Sequence, residues 1–164
     1  MLEEKPTILS ESARHQIDEW LKKYPPNHKR SAVLWALRVV QDENGGWLTN
    51  ELMDAVADYL EMPHIAVYEA ATFYSMFDLK PVGRHKILFC TNISCMLAGC
   101  EPIAEHLKQR LSINFGETTL DGRFTLKEVE CMAACAAAPM MQVDQDYHVN
   151  LTPEKVDEIL DKYK

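Results

Sequence analysis

Glycine is scarce in this chain: its 164 residues hold six, Gly45, Gly46, Gly83, Gly99, Gly116 and Gly122. No G-x-G-x-x-G and no Walker A loop can be assembled from them, so no standard cradle for a dinucleotide or a phosphate is present. Long apolar runs are missing as well. No stretch of about 18 apolar residues occurs, so direct membrane insertion is not expected. The start, MLEEKPTILSESAR, is acidic and has neither the apolar stretch of a signal peptide nor the basic character of a transit peptide. It predicts a cytoplasmic chain, or one in a mitochondrial matrix if trimmed from a longer precursor. Cationic blocks are also absent. The formal net charge is −8, with −5 up to Lys80 and −3 after it. Neither sign nor distribution suits a phosphate backbone, so no nucleic-acid partner is expected. Acidity favours pairing with a basic partner surface instead. No C-x-x-C occurs, which argues against a thiol–disulfide oxidoreductase.

Apolar residues make up 47% of the chain, enough for a sizeable core. Residues 1–80 read as a helical bundle. Ser10 is a candidate N-cap, and Ala13, Ile17, Trp20, Leu21 and Tyr24 form a helical stripe that Pro25 and Pro26 end. A second stripe runs through Ala32, Val33, Ala36, Leu37 and Val40 to Gly45-Gly46. Thr49 or Asn50 can cap a third, with Leu52, Val56, Tyr59 and Leu60 on one side. Pro63 opens a fourth, lined by Val67, Ala70, Ala71, Tyr74 and Phe77. Phe73, Tyr74 and Phe77 read as an aromatic core group at its end, and Trp20, Trp35 and Trp47 as core. Trp35, off its stripe, is the best interface candidate of the three.

The pattern changes at LKPVGRH (79–85), where Pro81 and Gly83 mark a turn. Residues 81–164 then read as an α/β domain: a buried strand over 85–90, a helix near 98–112, a strand over 123–131, and two strands within 140–151 around a turn at Asp144 and Asp146. Thr152 caps a last helix, with Val156, Ile159 and Leu160 facing the core. The order is β-α-β-β-α, and the fold class of the whole chain is α+β.

Five cysteines in a chain of this character point to metal or redox chemistry rather than a disulfide framework. Four form two tight pairs: Cys90 and Cys95 in FCTNISC, and Cys131 and Cys135 in ECMAACAAAP, with 35 residues between the pairs. Each pair follows an expected strand, so neighbouring strand ends could bring four sulfurs together. Four converging thiolates repel one another unless cations lie between them. Zinc accepts such a set, but zinc ribbons favour C-x2-C pairs with separations of roughly 15–20 residues. Wider Cys-x4-Cys and Cys-x3-Cys loops suit a [2Fe-2S] cluster, although spacing alone leaves zinc, and a zinc-stabilised scaffold, open. None of the six histidines lies in or beside either pair, which disfavours a Rieske centre. Ala133, Ala134, Ala136, Ala137 and Ala138 are small enough to let backbone N–H groups approach sulfur. Cys100 reads as a buried small hydrophobe rather than a ligand. Arg84 and His85 read as a solvated turn.

ATFYSMF (71–77), PVGRHKILFCTNISC (81–95), DGRFTLKEVECMAACAAAPMMQVD (121–144) and LTPEKVDEIL (151–160) resemble one family. It is the 24 kDa-type, or E, subunit of respiratory complex I, NADH:quinone oxidoreductase. The resemblance covers nearly the whole chain. It implies a thioredoxin-like C-terminal domain with one [2Fe-2S] cluster, for which Cys90, Cys95, Cys131 and Cys135 occupy the ligand positions. It also implies a partner flavoprotein subunit carrying FMN and NADH, and a place on the cytoplasmic side in the peripheral arm of a membrane-bound complex. Related chains in NAD-linked hydrogenases and formate dehydrogenases keep the exact complex open, and self-association of the isolated chain is open too. Met96 departs from the family, in which many members have histidine after the second cysteine.

Overall fold

The computed structural model describes residues 8–163; the reading of the acidic start falls largely on residues 1–7, outside them. Internal contacts divide the chain into two compact units, Met1–Pro81 and Val82–Lys164.

The first unit is all helical: α1 Glu11–Leu21, α2 Val33–Glu43, α3 Asn50–Leu60 and α4 His64–Phe73. Local chemistry sets the ends. The Ser10 hydroxyl accepts from the Ala13 N–H at 2.9 Å, and Thr49 does the same for Leu52 at 3.2 Å, each satisfying a donor that the helix leaves open. A short 3-10 turn over Lys29–Ala32 precedes α2, so Ala32 lies just before the helix rather than within it, as its stripe predicts. The core gathers Ile17, Leu37, Leu48, Met53, Val56 and Leu60, all essentially inaccessible. Trp35 stacks on Trp20 with centroids 4.2 Å apart, which accounts for its position off the stripe. The aromatic group at the end of α4 splits. Phe77 is buried, whereas Phe73 is 80% exposed, because α4 ends at Phe73 and the chain turns. The buried side chain of Gln41 fixes that turn, accepting from the Asp78 N–H at 2.8 Å and donating to the Met76 carbonyl at 3.2 Å.

The second unit is a four-stranded sheet with helices: β1 His85–Cys90, α5 Ile93–Leu97, α6 Cys100–Leu111, β2 Phe124–Val129, β3 Met140–Val143, β4 Asp146–Val149 and α7 Pro153–Lys162. The four strands fall where the sequence reading puts them, one more than the β-α-β-β-α order counts, and α5 is a short helix beyond it. The strand order is β2-β1-β3-β4. β1 pairs with β2 in parallel, from His85↔Phe124 to Cys90↔Val129, and β3 pairs antiparallel with both β1 and β4. Ile87, Phe89, Leu107, Phe124, Leu126 and Met140 fill the core. β2 alternates imperfectly because Thr125 is buried on its other side, where its hydroxyl accepts from the Gly83 N–H at 2.6 Å. The helix expected near 98–112 is present as α6, and Gly99, with a φ of +83°, separates it from α5, which lies before the expected range.

At the start of β1 the sheet is stapled. His85 Nδ1 lies 2.7 Å from Asp144 Oδ2, the Lys86 N–H donates to Asp144 Oδ1 at 2.9 Å, and the Asp144 N–H donates to the Lys86 carbonyl at 2.9 Å. Nearby, the Tyr163 hydroxyl donates to Asp146 at 3.0 Å.

Gly83 passes against β2 so closely that a Cβ there would stand 2.9–3.0 Å from backbone atoms of Arg123 and Phe124. Backbone cannot give way as a flexible side chain does. Gly83→Ala is therefore expected to destabilise the chain by about 1–3 kcal/mol, read as a lower urea midpoint; an unchanged midpoint would show that the approach is not tight.

Candidate metal centre

The parallel pairing of β1 with β2 positions both cysteine pairs. Cys90 ends β1 directly across from Val129, the last residue of β2, and the Thr91 N–H continues the ladder to the Val129 carbonyl at 3.1 Å. Cys131 follows two residues after Val129. Cys95 lies inside α5, which begins three residues after Cys90, and Cys135 opens a 3-10 turn over Cys135–Ala137. The strand-end placement expected for both pairs therefore holds in the geometry.

The two pairs differ in environment. Cys90 and Cys95 are buried, whereas Cys131 and Cys135 are exposed. The Cys90 thiol donates to the Glu130 carbonyl at 3.6 Å, which bridges from the first pair to the residue before the second. The Cys95 thiol is pushed up to about 12. Burial is the main cause, followed by its hydrogen bond with Cys90 and by the nearness of Cys90, Cys100 and Cys135. Without a cation this sulfur stays protonated at neutral pH, so loading a metal there releases a proton. Cys100 is also buried at the start of α6, with its thiol pushed up chiefly by burial and then by Glu101.

Among the described residues, no three His, Cys, Asp or Glu side chains are gathered tightly enough to hold a metal ion as they stand. Cys90 and Cys135 are both near enough to Cys95 to act on it electrostatically. The donor chemistry fits an iron–sulfur group. The donors are all sulfur, they sit at adjacent strand ends, and a backbone N–H is aimed at one of them: Ala133 donates to Cys131 Sγ at 3.4 Å. Ala133 reaches that position through a φ of +56°. Of the other alanines, Ala137 and Ala138 give their N–H groups to the Ala134 and Cys135 carbonyls instead, so they build the turn.

His85 sits at the opposite end of β1 from Cys90, about 16 Å away at the rise of a strand, and is bound to Asp144. Helix α5 is not legible in the sequence as a separate element. Its signal is Gly99, a residue suited to left-handed backbone shortly after Cys95.

These features define a ferredoxin-type electron-transfer domain. The family model of the thioredoxin-like [2Fe-2S] ferredoxins matches residues 17–164, and the chain belongs to that family. It is similar to the E subunit of NADH-quinone oxidoreductase from Rickettsia bellii, at 47% identity over 147 residues, 90% of this chain and 88% of that one. It is also similar to the second E subunit of NADH-quinone oxidoreductase from Rhizobium meliloti, at 43% over 151 residues, 92% and 88% of the two chains. Among solved structures, an NAD+-reducing [NiFe]-hydrogenase in the H2-reduced state matches with a TM-score of 0.69 and 21% identity, over 80% of this chain and 22% of that chain. This last likeness concerns the fold.

In the reduced, metal-free chain at pH 8, Cys131 and Cys135 should alkylate at least about tenfold faster than Cys95, because the thiolate is the nucleophile and Cys95 is both buried and protonated. The Cys95 rate should keep climbing as pH rises from 9 towards 12. Site-resolved mass spectrometry checks this; equal rates at the three sites would contradict the geometry.

Proposed function

We propose that this chain is the E-type electron-transfer subunit of an NADH:quinone oxidoreductase, and that Cys90, Cys95, Cys131 and Cys135 hold one [2Fe-2S] cluster. The observation that carries the reading is the end-to-end register of β1 and β2, which places both thiol pairs at one end of the sheet. The identity to E subunits of NADH-quinone oxidoreductases over most of both chains supports the choice of complex. In this reading the units are two domains, residues 1–80 as the helical bundle and 81–164 as the thioredoxin-like domain.

When bound, the cluster supplies reversible uptake of one electron. The protein's own residues do the rest. Cys90 and Cys95 present sulfur from the buried side, within the core of the second unit. Cys131 and Cys135 present sulfur from the exposed side. The Ala133 N–H donates to Cys131 Sγ and offsets negative charge on that sulfur, which makes an added electron easier to hold.

The chain has no phosphate cradle of its own, so FMN and NADH belong to a partner flavoprotein subunit of the same complex, where two-electron hydride chemistry is converted to single electrons. No helix among the described residues is long and apolar enough to cross a membrane. The similarity to E subunits of NADH-quinone oxidoreductase supports a place in a peripheral arm on the cytoplasmic side. The fold likeness to an NAD+-reducing hydrogenase favours one alternative, the equivalent subunit of an NAD-linked hydrogenase. The activity that co-purifies with the chain separates the two: quinone-linked NADH oxidation supports the first, hydrogen-linked NAD+ reduction the second.

Metal analysis of the purified chain should return about two irons and two acid-labile sulfides, with a rhombic EPR signal on reduction. One zinc and no colour would overturn the reading. Cys90→Ala and Cys135→Ala should each lose the native EPR signal. Cys100→Ala should keep it, at a stability cost of about 1 kcal/mol for a trimmed core side chain.

A further inference from the structure

The most exposed apolar side chains of the second unit include a set beside the thiols. On α5, Ile93 is 66% exposed and Leu97 85%, with Met96 between them at 45%. They flank Cys95, which the same helix turns inward to 1%. A five-residue helix that buries a thiol and offers three large apolar side chains to the outside is a face without its covering.

Charge beside it says what the covering is. A groove of about 570 Å³ continues from Met96 and carries Glu101, Glu105, Glu128 and Glu130 against a single cation, Lys108. Lys108 is already bound to Glu105 at 2.7 Å. Glu101, Glu128 and Glu130 make no ion pair among the described residues. Glu128 stands next to Val129, the register partner of Cys90, and Glu130 next to Cys131, so the uncompensated charge borders the thiol end of the sheet. A second copy of this chain docked through the same face would set carboxylate against carboxylate, which penalises a symmetric contact. An apolar centre with a one-signed rim fits a different surface, apolar in the middle and basic at the edge.

We propose that this face docks the flavoprotein subunit: Ile93 and Leu97 enter an apolar depression on the partner, and Glu101, Glu128 and Glu130 meet its arginine and lysine side chains. The inference rests on the function proposed above and adds the surface and the chemistry of the contact. Electron exchange requires two redox groups to come close, and this face adjoins the exposed pair Cys131 and Cys135, so docking here also shields the thiol end from water.

The test uses the full chain with its cluster and the flavoprotein subunit of an NADH:quinone oxidoreductase from the same organism, with binding followed by surface plasmon resonance over a range of salt. Leu97→Asp should weaken binding about tenfold or more. Glu101→Gln combined with Glu128→Gln should slow association at low salt about threefold or more and flatten its salt dependence, with dissociation little changed. Iron content and EPR spectrum should match the unmodified chain in both, which separates a lost contact from a lost fold. If the unmodified chain binds the flavoprotein and both variants bind equally well, the surface is wrong and the function stands. If the unmodified chain binds no flavoprotein, the proposed function fails and this surface with it. If Leu97→Asp instead dissolves a homodimer on gel filtration while flavoprotein binding is untouched, the face belongs to a second copy and the proposal is overturned.

Discussion

Everything at the thiol end depends on the parallel pairing of β1 with β2. The two cysteine pairs are 35 residues apart in the chain, and nothing local connects them. A parallel pair needs a crossover, and here α5 and α6 provide it. Because parallel strands run the same way, their carboxyl ends coincide, and each strand delivers its two thiols to the same end of the sheet. Functional groups commonly gather outside the carboxyl ends of strands in open α/β sheets, for this geometric reason. A hairpin between the same strands would have sent the pairs to opposite ends.

The second consequence is an asymmetry between the pairs. β1 lies inside the sheet, flanked by β2 and β3, so the sulfur at its end is covered. β2 is an edge strand, and the loop after it, with Cys131 and Cys135, faces outward. One side of the centre is thus set by the core and the other by a loop of small residues. The alanines between 133 and 138 serve that loop in different ways. Ala133 adopts a left-handed backbone and aims its N–H at sulfur, while Ala137 and Ala138 close a turn.

Much of this is legible in the residues. Ser10, Thr49 and Thr152 each cap the helix that follows them, as their chemistry predicts, because a short hydroxyl side chain at an open helix end has few better uses. The stripes through Ile17, Leu37 and Val56 form the first core, and the cysteines do stand at strand ends. What escapes the sequence depends on tertiary context. Phe73 and Phe77 look equivalent, yet where α4 stops decides which one is buried, and Gln41 fixes that from 37 residues away. Thr125 breaks the alternation of β2 because Gly83 presses on it from outside the strand. α5, set off from α6 by Gly99, has five residues, too few for an apolar stripe to show.

The staple of His85, Lys86 and Asp144 gives the second unit a division of labour along its length. Three polar contacts and the β3–β4 hairpin clamp the end of β1 remote from sulfur, and the core beneath the sheet is built from Phe, Leu, Ile and Met that owe nothing to a metal. The far end of β1 is thus held by hydrogen bonds and packing alone, while at the sulfur end the side chains do not yet converge. Order at one end of the sheet leaves the other end as the part that a bound cluster would draw together.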